Sequence, residues 1–374
     1  MARLSVIAAT YPLTSGAAQF NAAMVGAMRA RGEVDLISWR RLYPPLLYRG
    51  QTVDDESRPP RIEPAVFMLD WLDPRSWRAA LDRIASFRPA GLVLPWLHPV
   101  SALPYRFLLR HVPAGVRRVV ICHNVDTHER VPAGGALTRA ALRHADVLVT
   151  HAPHQRDELA RLGLGGIPLV EAFHPWFAAE DLAVLPPQAE IEAERARLGD
   201  PDLVLCCFGA VRPYKGVDIG IEALARVDPA LSVRLVVAGR FWEGRAELET
   251  QVQRLGLEHR VELRDRYVSN EEAALLFESS DAALLPYRSA SQSGVAALAF
   301  AHGRPVIATR VGGLPAAVTD GEDGLLCAPE DPDELARAIE RMAVERNALV
   351  EGVRRRQGER SFARYAEILE GALT

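Results

Sequence analysis

The stretch LVLCCFGAVRPYKG, residues 203–216, decides how the rest of the chain reads. Its first six residues form an unbroken apolar run, the pattern of a strand buried on both faces. Gly209 then opens a short loop carrying two cations, Arg212 and Lys215, and Val217, Ile221 and Leu224 follow at helical spacing. Strand, glycine-led loop and helix make up the arrangement with which an α/β sheet holds phosphate. The free N–H groups and the positive end of the helix dipole meet the anion, and the side chains add full charges. A plain Rossmann-like loop with a surface arginine and lysine has the same local sequence, so the flanking chain must separate the two readings.

The chain has 374 residues, 49% hydrophobic and 25% charged, and a formal net charge of −4. At about 100–200 residues per domain, this length predicts two domains with separate cores. The charge leaves no electrostatic footprint for nucleic acid. Cys122, Cys206, Cys207 and Cys327 lack zinc-ligand spacing and read as small core residues in a reducing compartment. The opening apolar run, residues 4–9, is too short for a signal peptide, and no uncharged apolar stretch reaches ~18 residues. The expected location is therefore cytoplasmic, at most touching the inner face of the membrane.

Apolar runs at residues 4–9, 34–37, 91–95, 118–122, 146–150 and 167–170 alternate with helical patterns, the first over 18–29. A second series starts at 203 and continues at 233–238, 261–263, 282–286, 305–308 and 324–327. Such alternation implies βαβ units and mostly parallel sheets. The fold class is thus α/β, with two Rossmann-like doubly wound domains. Pro175, Pro186, Pro187 and the charged run 190–197 mark the join. We divide the chain into an acceptor-side domain, 1–185, a nucleotide-sugar-binding domain, 186–350, and a C-terminal segment, 351–374. The amphipathic helix of that segment, residues 358–373, can cover either domain, including by packing back on the first. Ligands of open α/β sheets sit at the carboxyl edge of the strands, here expected along a cleft between the domains.

Four further stretches fall at such edges. His123 follows a buried strand in CHNVDTHE and can bond a sugar hydroxyl, move a proton or simply cap the strand; His128 and Glu129 are weaker candidates. Arg240 follows the strand at 233–238, and Arg266, Tyr267 and Val268 follow that at 261–263. Residues 289–294, SASQSG, lead into a helix that Ser291 or Ser293 can cap. Asp200, Asp202, Asp331 and Asp333 read as turn or cap residues rather than metal ligands, and neither a Gly-x-Ser-x-Gly nor a Walker signature is present. No metal or cofactor is therefore expected.

The motifs FGAVRPYKGVD, VVAGRFWEG, DRYVSNEE, LPYRSASQSGV, GRPVIATRVGGLP and DGEDGLL, in this order, resemble the C-terminal half of a family 4 glycosyltransferase of the bacterial cell-surface glycan type. YPLTSGAAQFN and CHNVDTHE agree more loosely in the N-terminal half. The resemblance implies a GT-B architecture, a nucleotide-sugar donor and metal-independent transfer of a hexose, with retention, to a glycan or lipid-linked acceptor in polysaccharide biosynthesis. Carried over by position, His123, Arg212 and Lys215 form the catalytic set, with His123 at the donor sugar and the two cations at the diphosphate. Gly16 closes the first loop over the phosphates and Tyr267 and Val268 frame the base. Arg240, Gln292, Ser293, Gly294 and Val295, read from their place at the strand edges, are the further expected donor-site residues. Two departures stand out. Ala290 and Leu298 occupy the positions of two glutamates that bind ribose and sugar, and Ala210 that of an arginine after the loop glycine. Arg212 is expected to replace the missing cation, and Gln292 and Ser293 part of the missing hydrogen bonding.

Leaving-group stabilisation is the implied mechanism, with the cations meeting charge that grows on the diphosphate. A nucleotide-sugar epimerase, another GT-B enzyme such as a phosphorylase, or a non-catalytic nucleotide-sugar binder lacking the paired acids are the alternatives. Few cleft carboxylates and no singled-out Schiff-base lysine favour the transferase. Residues 39–49, WRRLYPPLLYR, interleave aromatics, leucines and arginines. Arg40, Arg41 and Tyr43 are there the guessed contacts to a lipid-phosphate acceptor at an anionic bilayer, against a proline-braced loop packing its own leucines.

Overall fold

The computed structural model describes residues 3–13, 16–42, 62–123, 125, 133–177, 185–290 and 293–373. The chain forms two compact units, one of Met1–Phe173 with Phe362–Thr374 and one of His174–Ser361.

In unit 1 the strands are β1 (Leu4–Ile7), β2 (Val34–Arg41), β3 (Val66–Asp70), β4 (Gly91–Trp96), β5 (Arg117–Cys122), β6 (Val147–Thr150) and β7 (Leu169–Glu171). They lie in the order β3-β2-β1-β4-β5-β6-β7, every pairing parallel. Helices α1 (Gly16–Arg29), α2 (Pro74–Phe87), α3 (Ala102–His111), α4 (Gly134–Leu142) and α5 (His154–Arg161) connect them. Central strands such as β4 and β6 are buried at every position, which explains their unbroken apolar sequences. Edge strand β3 escapes sequence reading, since only Leu69 of its five residues is buried.

Unit 2 opens with α6 (Gln188–Arg197), then β8 (Leu203–Phe208), α7 (Val217–Leu224), β9 (Val233–Ala238), α8 (Arg245–Arg254), β10 (Val261–Arg264) and α9 (Asn270–Ser279). It continues through β11 (Ala282–Leu285), α10 (Gly294–Ala301), β12 (Val306–Thr309), α11 (Leu314–Ala317), β13 (Gly324–Cys327) and α12 (Pro332–Gln357). The sheet order is β10-β9-β8-β11-β12-β13, again parallel throughout, with β8 inside the sheet next to the crossover to β11. That crossover is the topological switch point, where open α/β sheets bind ligands. All four cysteines are buried.

The unit boundaries differ from those expected at 185/186 and 350/351. Trp176 is the cause. Its indole stacks on Phe300, centroids 4.2 Å apart, and the Trp176 main-chain N–H donates to the Arg360 carbonyl at 2.7 Å, so the chain joins unit 2 before the prolines that marked the join. At the other end, α12 runs unbroken across position 350 with Leu349 and Val353 buried, which keeps it in unit 2 to its end.

The last helix, α13 (Phe362–Gly371), belongs to unit 1. Phe362 and Tyr365 pack edge-on against Phe20 of α1, with centroids 5.3 and 5.8 Å away, and the Tyr365 hydroxyl meets His151 Nε2 at 2.7 Å. Arg31 pairs with Glu370 at 2.8 Å on the rim. Tyr365 is fully buried, so truncation removes both packing and a hydrogen bond. Tyr365→Ala should cost about 3–5 kcal/mol of stability. Tyr365→Phe, which loses only the hydroxyl, should cost about 1 kcal/mol. Equilibrium urea denaturation followed by far-UV circular dichroism measures both.

Candidate functional site

At the carboxyl end of β8 the chain must turn sharply, and three glycines make this possible. Gly209 has φ +92°, and a Cβ there would lie 3.1 Å from Lys215 Nζ. Gly239, after β9, has φ +149°, and its Cβ would meet the Gly209 carbonyl oxygen at 2.1 Å. Gly216 has φ +62°, with a Cβ position 2.0 Å from the Pro286 carbonyl oxygen. At Gly216 and Gly239 a Cβ would strike a main-chain oxygen, and at Gly209 the positive φ itself favours glycine.

With the glycines in place, the exits of β8 and β9 zip together. Gly209 N–H donates to the Ala238 carbonyl at 3.0 Å, Val211 N–H to that of Arg240 at 2.9 Å, and Trp242 N–H to that of Val211 at 3.1 Å. The loop then makes a single 3-10 turn, Pro213–Lys215, before α7 begins. This turn carries the Lys215 side chain back over the strand end. Its Nζ donates to the Phe208 carbonyl at 2.9 Å and lies 5.7 Å from the centre of the Tyr287 ring. Among the described residues no carboxylate pairs with it. Burial therefore lowers its pKa to about 8; the nearby Arg212 charge adds to the lowering, and Cys207 opposes it. The Arg212 guanidinium carbon sits 4.3 Å from the Trp242 ring centre.

Two residues not singled out from sequence hold this loop. Arg288, after β11, donates to the Pro213 carbonyl at 2.7 Å and to Asp218 of α7 at 2.6 Å, and its N–H reaches the Tyr214 carbonyl at 2.7 Å. Tyr287 is buried, with Tyr214 edge-on 6.0 Å away, and burial pushes its hydroxyl well above the usual tyrosine range. The adjacent pair sits in the LPYRS run, but nothing local in that sequence says that Arg288 turns back onto the loop.

The first turn of α10 approaches the same strand end. Ser293 caps the helix, its Oγ accepting from Ala296 N–H at 3.2 Å, and Val295 Cγ2 is 4.0 Å from the Cβ position of Gly209. Gly294 is exposed, with no atom within 4 Å of its Cβ position. The expected Ser293 contact to sugar meets a limit here: the residue is buried and its hydroxyl is engaged as the cap. Ala290 is buried too, and a Cβ on Gly312 would lie 1.4 Å from its carbonyl oxygen. Leu298 is half-buried on α10.

Arg240 is exposed beside the zipped loops, Tyr267 is 40% exposed and Val268 half-buried. Arg266 pairs with Glu272, which also closes a capping box with Ser269 at the start of α9. In unit 2, then, Lys215, Arg212, Tyr287, Ser293 and Val295 gather around the end of β8. The lysine and the α10 dipole give that point positive potential, the electrostatics of an anion site.

His123 belongs to unit 1, where its N–H donates to the Trp96 carbonyl at 3.0 Å and its carbonyl accepts from Gln155 Nε2 at 3.3 Å. Its ring is buried, edge-on to Phe20 at 4.5 Å and 5.2 Å from that of His151. Gly16 is the first residue of α1. Arg40 and Arg41 lie on β2 rather than in a loop, Arg40 donating to the Met68 carbonyl at 3.2 Å and Arg41 pairing with Asp70 at 2.9 Å. Extension of β2 past Ile37 through the buried Trp39 puts them there. Tyr43, His128, Glu129, Ser291 and Gln292 fall outside the described residues. Asp331 caps α12, accepting from Glu334 N–H at 2.8 Å.

Residues 202–344 match the family Glycosyl transferases group 1. The match covers the β8 loop and everything gathered around it. Among curated proteins, the chain is 32% identical over 207 residues to the D-inositol 3-phosphate glycosyltransferase of Corynebacterium diphtheriae, covering 53% of this chain and 48% of that one. It is 34% identical over 213 residues to the enzyme of the same name from Geodermatophilus obscurus, covering 51% and 46%. The chain thus spans about half the length of the curated relatives it matches. Among solved structures, HepE of Anabaena in complex with UDP aligns with a TM-score of 0.74 at 16% identity, covering 100% of this chain and 99% of that one. Sucrose-phosphate synthase of Thermosynechococcus elongatus aligns at 0.70 and 19%, covering 100% and 98%. At these identities the likeness shows the fold, two Rossmann-like parallel-sheet units of GT-B type.

A lysine charged at neutral pH without a carboxylate partner is a cost to folding. Its folded pKa lies below that of a free lysine, so this cost is present in full below about pH 8 and disappears as pH rises towards ~10.4. Lys215→Met should therefore raise the melting temperature at pH 7 and erase the gain in stability that the wild type shows between pH 8 and 10. Differential scanning calorimetry across that range checks both signs.

Proposed function

We propose that this chain is a glycosyltransferase that uses a nucleotide-diphosphate sugar, with the end of β8 as the seat of the diphosphate. The observation that carries this reading is the Lys215 ammonium, desolvated beside the α10 N-terminus on a loop that three glycines and Arg288 hold in one shape. A second cation, Arg212, stands immediately before the turn, at its N-cap. The match to Glycosyl transferases group 1 supports the same class, as does HepE of Anabaena, solved in complex with UDP and with UDP-glucose.

In this reading the reaction is retaining transfer of a hexose. As the bond between anomeric carbon and phosphate oxygen breaks, negative charge grows on the departing diphosphate. Lys215, Arg212 and the helix dipole stabilise that charge where it develops, which needs no divalent cation. The acceptor hydroxyl attacks on the same face and passes its proton to the leaving phosphate oxygen. The family resemblance assigns His123 to the donor sugar and Tyr267 and Val268 to the base, while Arg240 and Gly294 are read as phosphate contacts from their place after the strands. The names of the curated relatives make an inositol phosphate the first acceptor to try. A lipid-linked acceptor is the next, since Arg40 and Arg41 leave part of their surface to solvent at the end of β2.

One observation favours a second reading, a nucleotide-sugar binder without turnover. Ala290 and Leu298 offer no carboxylate at these two positions.

Isothermal titration with UDP, ADP and GDP in metal-free buffer, followed by hydrolysis or transfer assays with the matching sugar nucleotides, separates the two. The transferase reading expects binding of one diphosphate and turnover of its sugar; binding without turnover for every sugar tried supports the binder. Lys215→Ala should weaken nucleoside diphosphate binding at least 10-fold, about the weight of one charged hydrogen bond, while leaving the nucleoside nearly unaffected. His123→Ala should keep nucleotide affinity and lower turnover. Unchanged turnover would return His123 to a purely structural role.

A further inference from the structure

Of the 44 lysine and arginine side chains, 43 are arginine and one, Lys215, is lysine. The exception falls at the end of β8. An ammonium is a compact point charge on a flexible stem, without the planar fork by which a guanidinium fixes itself between acceptors. Where its charge stands therefore depends on the turn that carries it, Pro213–Lys215. Arg288 holds that turn twice, its main-chain N–H donating to the Tyr214 carbonyl at 2.7 Å and its Nη1 to the Pro213 carbonyl at 2.7 Å. Successive carbonyls of a single turn are thus tied to one residue.

Two acids fix Arg288 in turn. Asp218, in the first turn of α7, accepts from Nη1 at 2.9 Å and from Nη2 at 2.6 Å. Glu330, between β13 and α12, accepts from Nε at 2.9 Å, so all three guanidinium nitrogens are engaged. Glu330 has φ +55°, a left-handed conformation that strains a residue with a side chain and suits glycine. By charge alone, two carboxylates joined to this loop oppose an anion docking on it. Exposed ion pairs such as these contribute little to folding one at a time. Their place has a reason if they serve the loop through the arginine, because a forked network of several acceptors holds one geometry.

We propose that Asp218 and Glu330, acting through Arg288, are positioning residues for the donor diphosphate, holding the turn that presents Lys215 at the end of β8. The inference rests on the nucleotide-sugar reading above and adds two acids to a site for an anion. Neither acid touches the reacting atoms. What they fix is where the ammonium stands and how little water reaches it.

The test uses the full chain, with calorimetric titration of UDP, ADP, GDP and their nucleosides. Because Lys215 is the sole lysine, competitive acetylation with acetic anhydride from neutral to alkaline pH, read by mass spectrometry on its peptide, follows its protonation without any nucleotide. The labelling midpoint of the wild type should fall at about pH 8. Asp218→Asn and Glu330→Gly should each weaken the diphosphate that binds best by about 2- to 10-fold and change its nucleoside less than about 2-fold. Both should move the labelling midpoint up towards ~10.4, as water reaches the loosened turn. Glu330→Gly should do so without lowering the melting temperature, since glycine relieves the left-handed backbone. In an Arg288→Gln background neither substitution should add a further loss. Charge alone gives the opposite signs, tighter diphosphate binding and a lower midpoint, and either result would overturn the inference. Wild-type values in both variants, an equal loss for diphosphate and nucleoside, or additive losses with Arg288→Gln would overturn it too. If the wild type bound none of the three diphosphates, the inference would fall with the reading it rests on; a midpoint that still rose in the two variants would place the fault in that reading and not in the acids' hold on Lys215.

Discussion

A single ammonium in a poor environment organises the second unit. Lys215 Nζ has a main-chain carbonyl and an aromatic ring for company, and its charge is disfavoured there enough to lower its pKa to about 8. Folding alone gives no reason for this arrangement, since an apolar side chain of the same volume would fill the space without the desolvation cost. An anion supplied from outside removes the cost. A cation kept under-solvated by its own protein is prepared for a polyanionic ligand, and groups so perturbed gather at functional sites.

The surrounding structure keeps that ammonium where it is. The parallel sheet brings β8 to the switch point, and Gly216 and Gly239 let the main chain pass Pro286 and Gly209 closer than a side chain allows. Arg288 then closes the loop from outside by joining Pro213, Tyr214 and Asp218. None of these contacts requires a ligand, so the proposed phosphate seat is built before anything binds. Preorganisation of this kind is what makes electrostatic stabilisation effective when charge develops on a leaving group.

Much of the architecture could be read from the chain because parallel strands buried on both faces leave unbroken apolar runs. The loop at 209–216 could be read because glycine and cation spacing have direct physical meaning. What escaped reading shares one property: it depends on residues far apart in sequence. Trp176 stacks on Phe300 and moves the unit boundary ahead of the prolines; Arg288 turns back by some seventy positions onto Asp218. Edge strand β3, with one buried residue, carried no periodic signal at all. The stretch holding Arg40 and Arg41 was legible as basic and aromatic, but its continuation as a paired strand became visible only through β3.

The central claim, that a nucleotide diphosphate docks on a partly neutralised Lys215, is tested most directly by counting protons. UDP binding is measured calorimetrically at pH 8 in two buffers of different ionisation enthalpy, with uridine as the control. Near its folded pKa, Lys215 carries about half a proton less than it will beside an anion, so UDP should draw roughly half a proton from the buffer and uridine none. UDP binding with no proton uptake at pH 8 would contradict the account, because the diphosphate would then be seated away from that ammonium.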